Sequence, residues 1–208
     1  MAGFEIETFE PNGLKQDAMQ SLIEVVREPF MWYAPDSTEE DIYDRLLGNG
    51  ASWVDVVFQN GEPCGFSVHY AKDIDGSSVD YRGGTSILPF ARGKGIYKEL
   101  INRSLANGNY DYISTRTQNP RVYETLQQFS PSGVIFPHPS RDIPPHIFEI
   151  AEATCESGIV EPDTLAVRGV HGFVRADRSF MTARSKEVQD FFSQNLGRDD
   201  GYMVVVEL

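Results

Sequence analysis

Thr85-Ser86-Ile87-Leu88-Pro89-Phe90-Ala91-Arg92-Gly93-Lys94-Gly95-Ile96-Tyr97-Lys98-Glu99-Leu100-Ile101-Asn102-Arg103-Ser104-Leu105 reads as a strand, a tight turn and a helix. Thr85, Ile87 and Leu88 suit a strand. Pro89 ends the ladder, because it has no N–H to donate. Arg92-Gly93-Lys94-Gly95 is a compact turn that glycine makes sterically accessible. From Ile96 the apolar spacing becomes helical, with Ile96, Leu100, Ile101 and Leu105 on one face. Asn107-Gly108 closes the helix.

A glycine-rich turn that opens a helix is an anion site. Its amides have no helical acceptors, and the helix N-terminus carries a partial positive charge. Arg92 and Lys94 add full charges. The stretch therefore suits a phosphate or diphosphate. It is no Walker loop, since Gly95 follows Lys94 where a Ser or Thr would hold magnesium. Nor is it a dinucleotide fingerprint, since Gly93-Lys94-Gly95 lacks the third glycine.

These residues resemble the acyl-CoA-binding motif of the GNAT superfamily of N-acyltransferases: Arg or Gln, two residues, Gly, one residue, then Gly or Ala. Arg92 and Gly95 match it, and the preceding strand and Pro89 sit as in that family. Position 97 departs from it, holding Tyr97 where a small residue is usual, so Tyr97 should crowd the diphosphate site unless its ring points outward.

Bulk properties narrow the field. A chain of 208 residues with 40% hydrophobic content suits a single domain with a sizeable core. Cys64 and Cys155 form no metal-ligand pair and suit a reducing, cytoplasmic compartment. Residues 1–10 are acidic without an apolar core, so no signal peptide is expected. No apolar run approaches membrane-spanning length, and no membrane partner is expected. The net charge of −13 argues against nucleic acid. Residues 82–121 nevertheless carry seven Lys and Arg against two Asp and Glu, leaving −18 on the rest of the chain. One basic segment in an acidic chain fits an anionic co-substrate. The acidic remainder fits a cationic acceptor or simply a solvated surface.

In chain order, Phe4–Phe9 alternates as a half-buried strand. A helix is expected over about 14–27, with Leu14, Ala18, Leu22 and Val26 on one face. Residues 28–35 read as an aromatic loop between Pro29 and Pro35. Ser37 and Glu40 read as a capping box for a second helix burying Ile42, Tyr43, Leu46 and Leu47. Strands over 52–59 and 64–71 flank a turn at Asn60-Gly61-Glu62-Pro63. A polar turn at 73–78 leads to a strand over 79–88, where Gly83-Gly84 suggests a bulge or a close backbone approach. After the central helix come a strand over 110–117 and a helix capped by Asn119 and opened by Pro120. This order, β-α-α-β-β-β-α-β-α over about 3–136, is that of the GNAT fold: α/β, a mixed central sheet flanked by helices. Residues 137–208 form a C-terminal extension. A strand near 134–136, a helix over 146–156, a strand near 164–170, a helix over 185–196 and a final strand over 202–207 are expected there.

The resemblance implies transfer of an acyl group, acetyl first among them, from acyl-CoA directly to a primary amine. It implies that the backbone of Ile87 and Leu88 holds the pantetheine arm. The amides of Arg92, Gly93, Lys94, Gly95, Ile96 and Tyr97 would hold the diphosphate, and Asn119 would contact the arm. The family's usual acid is a Tyr seven residues after that Asn. That position is Leu126, and Tyr123, nearly one turn earlier, is the nearest candidate. His69 and Asp80 are candidate bases; either also reads as structural. Phe30, Trp32 and Tyr33 lie where the family builds its acceptor pocket. His138, His146 and His171 lack metal-ligand spacing, and no metal is expected. The resemblance implies a small-molecule or peptide amine as the acceptor, and a homodimer is compatible with the sequence. The contrasting reading is a CoA-binding or regulatory module without catalysis, to which Leu126 lends weight. A third is a nucleotide- or phosphate-binding protein of another fold.

Overall fold

A computed structural model describes residues 3–48, 50–171 and 181–208. Their elements run β1 (Phe4–Phe9), α1 (Gln16–Tyr33), α2 (Glu39–Tyr43), β2 (Trp53–Gln59), β3 (Glu62–Ile74), β4 (Ser77–Ile87), α3 (Ile96–Asn107), β5 (Tyr112–Thr117) and α4 (Pro120–Gln127). Then follow β6 (Ile135–Phe136), α5 (Pro145–Thr154), β7 (Ala166–Val167), α6 (Lys186–Asn195) and β8 (Gly201–Glu207). Up to α4 the order is the expected one. The residues group into two compact units. One holds 3–71 and 82–109; the other holds 72–81, 110–171 and 181–208.

In the first unit the strands lie in the order β1, β2, β3, β4, with β1 antiparallel to β2 and β2 to β3. Both ends of β3 are tighter than expected. Asn60 (φ 56°) and Gly61 (φ 82°) alone make the first turn, so Glu62 and Pro63 join the strand. Pro63 pairs with Phe58 where the register shifts, a position that spares the missing N–H. Asp75 (φ 50°) and Gly76 (φ 82°) alone make the second turn, in the other unit, and both flanking strands lengthen. Two successive positive-φ residues match the twist of a hairpin.

The 28–35 segment is a correction. It is no loop: α1 continues through Pro29 to Tyr33. Proline removes one helical hydrogen bond. The buried stripe Met19, Leu22, Ile23, Val26 and Phe30 nevertheless keeps its helical period across it. Phe30 stacks on Phe66 of β3 at 5.7 Å, and the Ser86 hydroxyl donates to Pro29 O at 2.7 Å. Packing therefore outweighs the lost bond. The capping box of α2 also shifts by one residue. Asp41 N–H donates to Thr38 Oγ1 at 3.2 Å, and Thr38 N–H donates to Asp41 Oδ2 at 2.6 Å. Ile42 and Leu46 are buried as expected, whereas Tyr43 is exposed.

Glycine placement in β3 and β4 sets the sheet's shape. Arg82 Nη2 donates to Ser67 Oγ at 3.0 Å, and Thr85 Oγ1 lies 2.9 Å from the same oxygen. Residues three apart on a regular strand face opposite ways. Both reach one hydroxyl because the alternation breaks at Gly83-Gly84. The close backbone approach lies elsewhere, at Gly65, where an added Cβ would stand 2.8 Å from Ser86 O.

In the second unit β8 is central. It pairs antiparallel with β5, β6 and β7. Ser114 Oγ and Thr154 Oγ1, 2.7 Å apart, join β5 to α5. The Glu124 carboxylate accepts from the N–H groups of Arg184 and Ser185, placing negative charge at the start of α6. The C-terminal extension thus supplies the middle strand of this unit. Arg168 staples its entry, donating to Glu161 Oε1 and Asp200 Oδ2, both at 2.7 Å.

Arg168 holds the Glu161 carboxyl below its usual value. Burial alone would raise Asp200, but hydrogen bonds from Arg168, Gly169 and Gly197 outweigh it and lower its pKa. Carboxyls lowered on folding add stability above their unfolded pKa, about 4, and that contribution disappears as pH falls through their folded values. Arg168→Met should therefore lower denaturant stability at pH 7 and leave it nearly unchanged at pH 2.5. An equal loss at both pH values would show that the staple acts through packing alone.

Candidate functional site

The strand-turn-helix stretch lies wholly within the first unit. Pro89–Ala91 makes a single 3-10 turn after β4. Gly93 (φ 75°) and Gly95 (φ 80°) both take the left-handed conformation, and Gly95 is the N-cap of α3. An added Cβ would meet nothing at either position, so the glycines serve conformation and not space. The first helical bond of α3 runs from Glu99 N–H to Gly95 O at 3.0 Å. The amides of Gly93, Lys94, Gly95 and Ile96 precede it and have no helical acceptor. Residues 93–95 are exposed.

Packing fixes this turn from below. Ile96, Leu100 and Ala91 are buried with Val57 and Cys64, against Phe4, Ile6 and Ile87. Lys94 Nζ donates to Gln59 Oε1 at 2.9 Å, which draws its charge toward the β2–β3 end of the turn. Burial raises the Cys64 thiol pKa, and the Lys94 charge opposes that rise. Cys64 is an inert core residue.

Tyr97 does not crowd the turn. The Arg82 guanidinium lies over its ring at 4.8 Å, and Arg82 is 2% exposed. A cation against an aromatic face is stabilised most where water is excluded. Tyr97 covers a buried arginine, which explains why a large residue stands at position 97.

The Ile87–Leu88 peptide is directional. Leu88 N–H donates to Cys64 O of β3 at 2.8 Å. A trans peptide points its carbonyl the opposite way, so Ile87 O faces away from β3. The expectation that both residues offer backbone to an extended ligand is half corrected. The Leu88 donor belongs to the ladder, and the Ile87 carbonyl points outward. Arg92 Nε donates to that carbonyl at 2.8 Å, while its guanidinium lies 4.0 Å over the Trp32 ring.

The expected acceptor residues divide. Phe30 is buried in the core, Trp32 is engaged by Arg92, and Tyr33 is half-buried in the last turn of α1. His69, a candidate base, lies on β3. It is fully buried, stacked on Trp53 at 4.6 Å, with Nε2 3.6 Å from Asp55 Oδ2. Asp55 also accepts from Thr8 Oγ1 at 2.6 Å. This is an internal polar cluster.

Asp80, Asn119 and Tyr123 belong to the second unit. Asp80 is fully buried. Burial, then the Asp80 charge, pushes the Tyr110 phenol up. Asn119 caps α4, accepting from Arg121 N–H at 3.0 Å. Tyr123, expected as the general acid, is 2% exposed, and its hydroxyl donates to Pro137 O at 2.9 Å. Phe191 and Phe192 pack against its ring. Burial raises its pKa far above the ordinary phenol value. A cleft of about 770 Å³ in this unit is lined by residues 137–143 and α6, and none of the expected site residues lines it.

Sequence reasoning missed Gln59 and Arg82. Gln59 stands unmarked before the Asn60-Gly61 turn. Arg82 carried a signal, a charge inside an otherwise buried strand beside Gly83-Gly84.

No protein-family profile matches this sequence, and no curated protein sequence matches it. Solved structures similar to the chain include an Arabidopsis thaliana Naa50 in complex with the bisubstrate analogue CoA-Ac-MVNAL. It is 13% identical over 98% of this chain and 99% of that one, with a TM-score of 0.47. A putative acetyltransferase from Pyrococcus horikoshii is 17% identical over 62% and 43%, with a TM-score of 0.45. The aminoglycoside N-acetyltransferase AAC(6')-Iy in complex with CoA is 18% identical over 61% and 85%, with a TM-score of 0.44. All three scores are below 0.5.

Tyr123→Phe should destabilise the protein by about 1–2 kcal/mol in chemical denaturation, since Pro137 O loses its donor in the core. Stability equal to that of the wild type would mean that the hydroxyl is not engaged as described.

Proposed function

We propose that this chain is an N-acyltransferase that moves an acyl group, acetyl first among them, from acyl-CoA to a primary amine. One observation carries the reading. The exposed residues Gly93, Lys94 and Gly95, whose amides have no helical acceptor, precede α3 at the end of a strand whose last carbonyl points outward. Such amides at a helix N-terminus favour a diphosphate. The Ile87 carbonyl suits an amide N–H of the pantetheine arm, which runs on from that diphosphate. Lys94 adds charge where the nucleotide end would lie.

In the reaction the neutral amine attacks the thioester carbonyl carbon. The C–N bond forms, the C–S bond breaks, and the thiolate leaves and takes a proton. The protein's part is to fix the thioester against the amine, so that encounter becomes intramolecular. His69 and Tyr123 are both buried, so this reading routes no proton through either. The ammonium proton passes to water. The acidic remainder of the chain favours a cationic acceptor.

The burial of Tyr123 favours a second reading, a CoA-binding module without turnover. Acetyl-CoA consumption with a panel of amines separates the two.

Thermal unfolding with acetyl-CoA, CoA and ATP, on wild type and Lys94→Glu, tests the binding step. At a hundred times its dissociation constant acetyl-CoA should add about 2.7 kcal/mol. ATP should add little, and Lys94→Glu should lose most of the effect. Absence of any shift with either CoA species would refute the reading.

A further inference from the structure

We propose that Arg92 is an internal placeholder for the acyl-carrier arm, parked on Trp32 until the co-substrate displaces it. This rests on the acyl-CoA reading above.

The observations lie within residues 32–97 of the first unit. Ile87 O is turned away from β3, because its own peptide N–H is spent on Cys64 O. It is therefore the acceptor that an arriving extended chain would use to prolong the strand's pairing. Arg92 Nε already donates to it at 2.8 Å. An arginine Nε–H, like an amide N–H, donates to a carbonyl, and its positive charge makes its bond the stronger of the two. The side chain thus makes the bond that the arm's amide would make, at the same oxygen. The arm and Arg92 compete for it.

Trp32 holds the placeholder. The guanidinium lies 4.0 Å over its ring, and Trp32 sits in the last helical turn of α1 only because that helix runs through Pro29. A cation over Trp is the strongest of the aromatic-face pairings. Parked there, the guanidinium is drawn to the ring and the carbonyl and not to the anion at the turn. Once released, it lies on the chain directly before Gly93, within side-chain reach of a diphosphate held by amides 93–96. Binding then exchanges one carbonyl donor for another and frees a cation for the phosphates. A ligand carrying both arm and diphosphate gains that cation. A ligand with the arm alone has to expel Arg92 without compensation. The pair would therefore discriminate whole acyl-CoA from smaller thioesters and free pantetheine.

The test is calorimetric titration of CoA and of pantetheine, which lacks the diphosphate, into wild type, Arg92→Met and Trp32→Leu, each checked for folding by circular dichroism. Pantetheine should bind Arg92→Met and Trp32→Leu about three- to tenfold more tightly than wild type, the range of one net hydrogen bond. CoA should separate the variants. It should bind Arg92→Met more weakly than wild type, having lost a cation, and Trp32→Leu more tightly, having kept the cation and lost the parking site. If Arg92→Met does not fold, the Trp32→Leu arm decides alone. CoA binding to wild type, with pantetheine binding no tighter in either variant, overturns the placeholder and leaves the acyl-CoA reading standing. CoA failing to bind wild type at all overturns both.

Discussion

Two backbone angles constrain this structure more than any side chain does. Gly93 and Gly95 hold φ values of 75° and 80°, which an L-residue with a side chain adopts only under strain. They let the chain leave β4 at Ile87 and begin α3 at Ile96. A longer route would move Ile96 and Leu100 away from Val57 and Cys64, the buried cluster on which the helix rests. The same angles leave a row of amides ahead of the first helical bond, without helical acceptors. The packing of the first unit and the chemistry of its turn follow from one local geometry.

Beside that turn, two arginines lie over aromatic rings. Arg92 lies on Trp32, and Arg82 lies against Tyr97. A ring stabilises the cation and leaves its charge in place. This accounts for Tyr97 at a position where the motif usually has a small residue. Its ring lies against Arg82.

The strand-turn-helix stretch was legible in the sequence because glycine, proline and apolar spacing all agree there. The hairpins were legible as hairpins, but their turns closed on two residues each. Asn and Asp tolerate positive φ, so Asn60 and Asp75 shorten turns that polarity alone makes look longer. The end of α1 was not legible. Pro29 signals a break, and only burial of Phe30 against Phe66 overrides it. That misreading hid the relation between Trp32 and Arg92, which lie 60 positions apart in the chain. The surroundings of the candidate acids and bases were not legible. His69 and Tyr123 have the right residue types, but their partners, Asp55 and Pro137 O, are fixed by strand register and by the path of the C-terminal extension. Spacing in the sequence does not encode either.

The central claim is that the amides before α3 hold the diphosphate of an acyl-CoA. Residue-resolved amide hydrogen exchange with and without CoA tests it most directly. The account predicts that CoA slows exchange at Gly93, Lys94, Gly95 and Ile96 well beyond any change in the rest of α3. CoA that binds yet leaves those amides unchanged, or protects a different segment, would contradict it.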